Sequence, residues 1–258
     1  MIKLQTNDVL LEVKILALLL ATTSGKGGTG KSTVSVSLAL AFAKLNKNVL
    51  LMDMDEGLRS LDLFLNLEER IVFDLSDILK GADIEDATYE MDKQKNIHLI
   101  PAPRNTGEIN PDLFKELIEK LLPRYDVIIL DFPAGLDFNL YNVLPRHTQF
   151  ITVCNPDPVS VRDAGIVCDR LPETECDPRL ILNRFDMELI KSGTYRNIDD
   201  IIDISGMRLL GVIPADSELM LLSVNHKLHP RKRAFKAATR IVRRLLGETV
   251  RLPKPKKI

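Results

Sequence analysis

Apolar residues in this chain gather in short, nearly unbroken runs instead of alternating with polar ones. Residues 15–23, 49–53, 97–101, 127–131, 150–154, 180–183 and 209–213 are such runs. Continuity over this length is the mark of strands buried on both faces, as parallel strands are when helices cover them. Between the runs, apolar positions recur every three or four residues over 31–45, 74–80, 111–122, 159–171, 198–204 and 232–246, which predicts amphipathic or buried helices. Stop and start signals agree: Pro111 stands in a first turn, Asn197 precedes a helix as a cap, and Gly81 and Gly247 follow last turns. Strand and helix alternate throughout. The prediction is an α/β fold, a doubly wound, mostly parallel sheet with helices on both faces in three layers.

One domain over 15–247 accounts for this pattern. Residues 1–14 form an extension without an assigned role, either an extra edge strand or a loose segment. The tail 248–258 (ETVRLPKPKKI) has two prolines and three lysines, so it is expected to be solvated and not helical. The run 15–21 (ILALLLA), preceded by Lys3 and Lys14, is too short for a bilayer, which takes about 20 apolar residues. A glycine-rich loop follows it at once, and such loops need a buried strand before them. Lys and Arg (35) nearly balance Asp and Glu (36), so no global field would hold the chain on nucleic acid. Cys154, Cys168 and Cys176 form no Cys-x-x-Cys pair and have no histidine at ligand spacing. A reduced, cytoplasmic protein is expected.

The chemistry starts at Gly25-Lys26-Gly27-Gly28-Thr29-Gly30-Lys31-Ser32, with Thr33 next. This is Gly-x4-Gly-Lys-Ser/Thr between a buried strand and a helix start, the context in which it cradles phosphates. Glycines let successive N–H groups turn inward, and the helix adds its positive end. Lys31 would reach the β- and γ-phosphates and Ser32 would be a magnesium ligand. The run 127–131 ends in Asp131, a strand-end carboxylate placed to hold magnesium through its water shell.

The segment KGGTGKS resembles the deviant Walker A signature of the MinD/ParA superfamily. The resemblance implies that Lys26 crosses a dimer interface to the partner's phosphates, so ATP would drive homodimerisation. Residues 52–62 (MDMDEGLRSLD) are similar to the MinD switch segment. Asp55 is then expected to orient the attacking water and Asp53 to support the magnesium shell, with Asp55, Lys26 and Lys31 as the catalytic set. Asp131-Phe132-Pro133-Ala134-Gly135 looks like the Asp-Ser-Pro-Ala-Gly switch of MinD with Phe132 replacing Ser. Asn155-Pro156 and 160–163 (SVRD) resemble the stretch leading into a partner-contacting helix, which puts a regulatory protein on the Asp163 face. Residues 211–216 (GVIPAD), with Pro214, are similar to the nucleotide-base loop.

Asn183-Arg184-Phe185-Asp186 resembles the Asn-Arg-Tyr base loop of the family and also approaches the Asn-Lys-x-Asp element of GTPases. An amide can read adenine, whereas a carboxylate accepts two donors from guanine. ATP is the expected nucleotide, because Lys26 and Gly57-Leu58-Arg59 belong to the ATP-using branch. The implied function is a slow, magnesium-dependent ATPase switch that positions the division septum or another cellular structure. Two alternatives stay open: a ParA-like ATPase that loads on DNA through Arg231, Lys232, Arg233, Arg240, Arg243 and Arg244, and an FlhG-like regulator of flagellar number. Iron–sulfur carriers of the superfamily need cysteines after the switch, and 131–140 has none. Three departures stand out. The tail lacks the amphipathic helix that holds MinD on membranes, leaving at most peripheral contact; Glu56 replaces an apolar residue; and Gly165 stands where the family has a second acid.

Overall fold

The computed structural model describes residues 3–6, 9–12, 17–92, 94–135, 138–186, 188–195, 197–226 and 229–253. The expected strand start at Ile15 and the Lys254–Lys257 part of the tail lie outside them. Near the N-terminus, β1 (Lys3–Thr6) and β2 (Val9–Glu12) pair antiparallel in a sheet of their own, so the extension is neither an edge strand of the large sheet nor wholly irregular. The remaining strands are β3 (Leu18–Thr23), β4 (Val49–Asp53), β5 (Tyr89–Met91), β6 (Gln94–Ile100), β7 (Val127–Asp131), β8 (Gln149–Cys154), β9 (Arg179–Phe185) and β10 (Arg208–Pro214). They form one sheet in the order β10-β9-β8-β3-β7-β4-β6-β5. Every pairing is parallel except β5 with β6.

The double winding follows from the two faces of the unbroken apolar strands. Leu20, Leu51 and Ile129 point into one core with the helices Lys31–Lys44 and Arg233–Leu245. Their neighbours Leu19, Leu50 and Ile128 point into the other, with Phe114 and Ile118 of the helix Pro111–Leu121. Phe114 and Ile118 are fully buried, and truncating such an aromatic to Ala costs about 3–5 kcal/mol through lost transfer energy and the cavity left behind. A third core lies under the helices Pro158–Cys168 and Ile198–Ser205, around Val161, Ile201 and Leu182.

Local signals end the helices where the sequence places them. Asn110 Oδ1 accepts from the amides of Asp112 and Leu113 ahead of Pro111, Asn197 Oδ1 accepts from Asp200, and Asp74 makes a capping box with Asp77 before Leu75–Leu79. Each pairs an orphan amide of a first turn. The differences from expectation are short elements. Strand β5 spans three residues, and the helices Leu61–Leu65, Phe138–Tyr141, Glu188–Lys191, Ser217–Met220 and Leu222–Asn225 have five or fewer, too few to show a period of their own. After the helix Arg233–Leu245, residues 248–253 are irregular. Arg244 folds back there: its Nε donates to the Val250 carbonyl at 2.8 Å and its Nη1 to that of Leu210 at 2.7 Å.

Candidate functional site

The strand order turns away from β3 on both sides, toward β7 on one and β8 on the other. Such a switch point opens a crevice at the carboxyl ends of the strands, where ligands of doubly wound folds bind. The glycine loop lies at the end of β3, Asp131 at the end of β7 and Asp53 at the end of β4. Gly28 and Gly30 have φ of 79° and 84°, which an L side chain rarely adopts. Gly30 faces a further constraint, since a Cβ there would sit 2.5 Å from Asn183 Nδ2.

Asp131 organises the centre. Its Oδ1 accepts from Lys31 Nζ at 2.9 Å, Ser35 Oγ at 2.8 Å and Thr22 Oγ1 at 3.0 Å. Its other oxygen, Oδ2, is buried and has no partner among the described residues. A buried carboxylate oxygen left unpaired is costly, and a cation shell is a natural complement for it. Ser32, half-buried in the first turn after the loop, supplies the hydroxyl. The donor set of one carboxylate and one hydroxyl fits magnesium, which keeps several waters and shares its shell with phosphates.

Sequence reading missed Thr22 and Ser35. Their signal was available: Thr22 is a polar position at the end of an apolar run, and Ser35 lies one turn after Lys31, on the same helix face.

Asp53 is placed differently from expectation. It is fully buried; its Oδ1 accepts from the Asp55 amide at 3.0 Å and its Oδ2 from the amides of Ser60 and Leu61 at 2.8 and 3.0 Å. These bonds use the carboxylate to fold the 53–61 switch segment back on itself, a task that the sequence did not reveal. Burial, with the nearby Asp131 charge adding to it, pushes its pKa up to about 6, against the three amides that lower it. Asp55 is half-buried beyond the strand end. Burial raises its pKa, the Lys31 ammonium opposes this and Asp131 adds to it. Asp55 thus feels both charged groups of the centre.

Beside the loop lies a cleft of about 410 Å³ lined by Gly30, Thr33, Phe64, Asn183, Arg184, Pro214, Asp216 and Met220, among others. This brings together Thr33, Asn183, Arg184 and Pro214, as the sequence led one to expect, and adds Phe64 and Met220. Asn183 Nδ2 donates to the Thr29 carbonyl at 2.8 Å, while its Oδ1 is buried without a partner among the described residues. Arg184, at φ 51°, donates from Nη1 to the Gly28 carbonyl at 3.1 Å. Asp186 is exposed, and its Oδ1 accepts from the Glu188 amide. Lys26 is exposed.

The loop is walled by the helix Pro158–Cys168: a Cβ on Gly25 would come within 2.5 Å of the Asp163 carbonyl oxygen. Phe132 is fully buried edge-on to Tyr141, with ring centroids 4.7 Å apart, so the residue that departs from the family switch is part of the core. The backbone around it stays tied to β3, with the Phe132 amide donating to Thr22 and that of Gly135 to Ser24.

Comparison with known proteins agrees with this geometry. A family model described as the CobQ/CobB/MinD/ParA nucleotide binding domain matches residues 20–229. The chain belongs to this family of P-loop ATPases. The septum site-determining protein MinD of Bacillus subtilis (strain 168) is 36% identical over 243 residues, 90% of each chain. Among solved structures, MinD in the MinC:MinD cell division protein complex of Aquifex aeolicus superposes with a TM-score of 0.80 at 32% identity, covering 92% of this chain and 99% of that one. MinD of Pyrococcus horikoshii OT3, complexed with Mg-ADP, has a TM-score of 0.73 at 26% identity, over 89% and 96% of the two chains. These MinD/ParA relatives match the fold class and the nucleotide-and-magnesium chemistry read from the glycine loop.

Proposed function

We infer that the chain is an ATP-driven switch that helps position the division septum, as its MinD relatives do. The Asp131 cluster carries this reading: one oxygen gathers Lys31, Ser35 and Thr22, and the other is buried and unpaired. Gly25, Gly27, Gly28, Thr29 and Gly30 supply the phosphate cradle, and Lys31 the cation for the β- and γ-phosphates. Ser32 and Asp131 would hold magnesium, which spreads the charge developing on the phosphates. Asp55 orients the attacking water, and Asp53 fixes the segment that carries Asp55. In this reading turnover is slow, so that the chemistry serves as a timer.

Adenine fits the cleft better than guanine. In this reading the free Asn183 oxygen accepts from the adenine amino group, while Asp186, which guanine would need as a double acceptor, already takes the Glu188 amide on Oδ1. Of the cations offered for DNA, Arg244 is committed to backbone carbonyls, Arg243 pairs with Glu248 at 2.7 Å and Lys232 with Glu218 at 3.7 Å. A docking surface for a MinC-like regulator would include the Asp163 helix, where Val159 and Ile166 are exposed. Gly165 packs tightly there, because a Cβ would stand 3.0 Å from the Ile204 carbonyl oxygen.

Lys26 is the cross-subunit residue in this reading. Two tetra-anionic nucleotides facing each other need compensating charge, and one exposed lysine from each protomer supplies it. Lys26→Ala should bind ATP as a monomer nearly as well as the wild type yet stay monomeric in sedimentation with ATP and magnesium. Combining it with Asp55→Ala, which blocks hydrolysis, should not restore the dimer. A double variant that dimerises on ATP would refute the cross-subunit role.

A further inference from the structure

The switch segment is gripped from two sides, and only one grip belongs to Asp53. On the other side the Glu56 carboxylate accepts three successive backbone amides: Gly107 at 2.9 Å on Oε2, and Glu108 at 2.8 Å and Ile109 at 2.9 Å on Oε1. Consecutive amides converging on one point, with Gly107 at φ 80°, form the kind of backbone concavity that binds anions. Here the anion is part of the chain. Next to it, the Gly57 amide donates to the Pro103 carbonyl at 3.0 Å, and a Cβ on Gly57 would press to 3.3 Å from Thr106 Cγ2. Asp55 lies between the two grips. Its amide donates to Asp53 Oδ1, and its carbonyl accepts from Leu58 and Arg59.

The geometry points to Glu56 as a positioning residue for hydrolysis, holding Asp55 at its working angle by docking on the backbone of residues 107–109. This rests on the reading of Asp55 as the water-orienting group. Hydrogen bonds to an ionised acceptor are shorter and stronger than neutral ones, and three of them fix the peptide immediately after Asp55. An apolar side chain at position 56 could not make them. Among the described residues, Glu56 has no hydrogen bond to the glycine loop and does not line the base cleft, so ADP affinity should not depend on the clamp.

The test compares ATP turnover and ADP affinity of the full chain with those of Glu56→Met, Glu56→Gln and Asp55→Ala. Glu56→Met keeps length but accepts nothing, and kcat should fall about ten- to a hundredfold, the scale of a misplaced orienting group, with KM and ADP affinity unchanged. Glu56→Gln keeps one carbonyl oxygen for the Glu108 and Ile109 amides, and its kcat should lie between the other two. Wild-type kcat in Glu56→Met overturns the proposal. So does a loss of ADP affinity in proportion to the loss of turnover, which would mean general loosening. Should Glu56→Met not fold, Glu56→Gln decides: wild-type kcat together with faster hydrogen exchange at the Gly107 amide counts against the clamp. Wild-type turnover in Asp55→Ala would instead overturn the role of Asp55, whatever Glu56 does.

Discussion

Lys31 Nζ and Asp131 Oδ1 stand 2.9 Å apart with both side chains almost wholly out of water. The ion pair joins the first residue of the helix after the loop to the last residue of β7. An ion pair this deep depends on both members, and removing one leaves the other charged and unsolvated.

Lys31→Ala should therefore fail in two ways. Binding of ADP with magnesium should disappear in calorimetry, because the phosphate cation is gone. Denaturant unfolding should also show a loss of about 3–5 kcal/mol, since Asp131 is left uncompensated near Asp53. Unchanged stability with lost binding would show that solvent relieves Asp131 in the variant.

A second outcome concerns pH. Asp53 has its pKa raised to about 6 by burial and by the Asp131 charge. The folded state thus holds this proton more tightly than the unfolded chain. The resulting stability is fully present below the unfolded value near 4 and is lost as pH rises through about 6. In buffer free of nucleotide and magnesium, the wild type should lose about 3 kcal/mol relative to Asp53→Asn between pH 4 and pH 7. Denaturant unfolding of both proteins across that range measures it. A constant difference would mean that Asp53 stays ionised throughout.

Base selection separates two neighbouring side chains. Asp186→Ala should leave ATP affinity unaltered and give no change in GTP binding, since this carboxylate is exposed and accepts from the Glu188 amide. Asn183→Ala should weaken ATP binding by about tenfold, the scale of one hydrogen bond plus an unpaired Thr29 carbonyl. Competition between the two nucleotides reads both. GTP binding that collapses in Asp186→Ala alone would reassign the base to guanine.

Much of this was legible in the chain itself. Unbroken runs such as 127–131 reported burial on both faces, and Pro111 and Asn197 marked helix starts, where the structure has Pro111 as the first helical residue and Asn197 capping Asp200. The glycine loop was legible because its spacing is dictated by the phosphates it must surround. Strand β5 and the short helices were not, since their place depends on tertiary contacts, as when the Tyr89 hydroxyl accepts from the amides of Val72 and Phe73. The work of Asp53 was hidden for a similar reason. Sequence shows a strand-end acid, but only the fold shows three amides turned toward it. Glu56 read as a mere departure from a family pattern until residues 107–109 were seen around it.

The contact between Gly25 and the Asp163 carbonyl leaves no room for even a methyl group. Two rigid parts touch there without a cushion of side chain. A backbone shift at Gly25 toward the helix Pro158–Cys168 has nowhere to be absorbed locally, so it must be passed on to the whole helix. With a Cβ on Gly165 only 3.0 Å from the Ile204 carbonyl oxygen, the helix is in turn packed tightly on its own neighbour. At both glycines backbone lies against backbone, so a side chain added at either would press on the helix Pro158–Cys168 or on its neighbour.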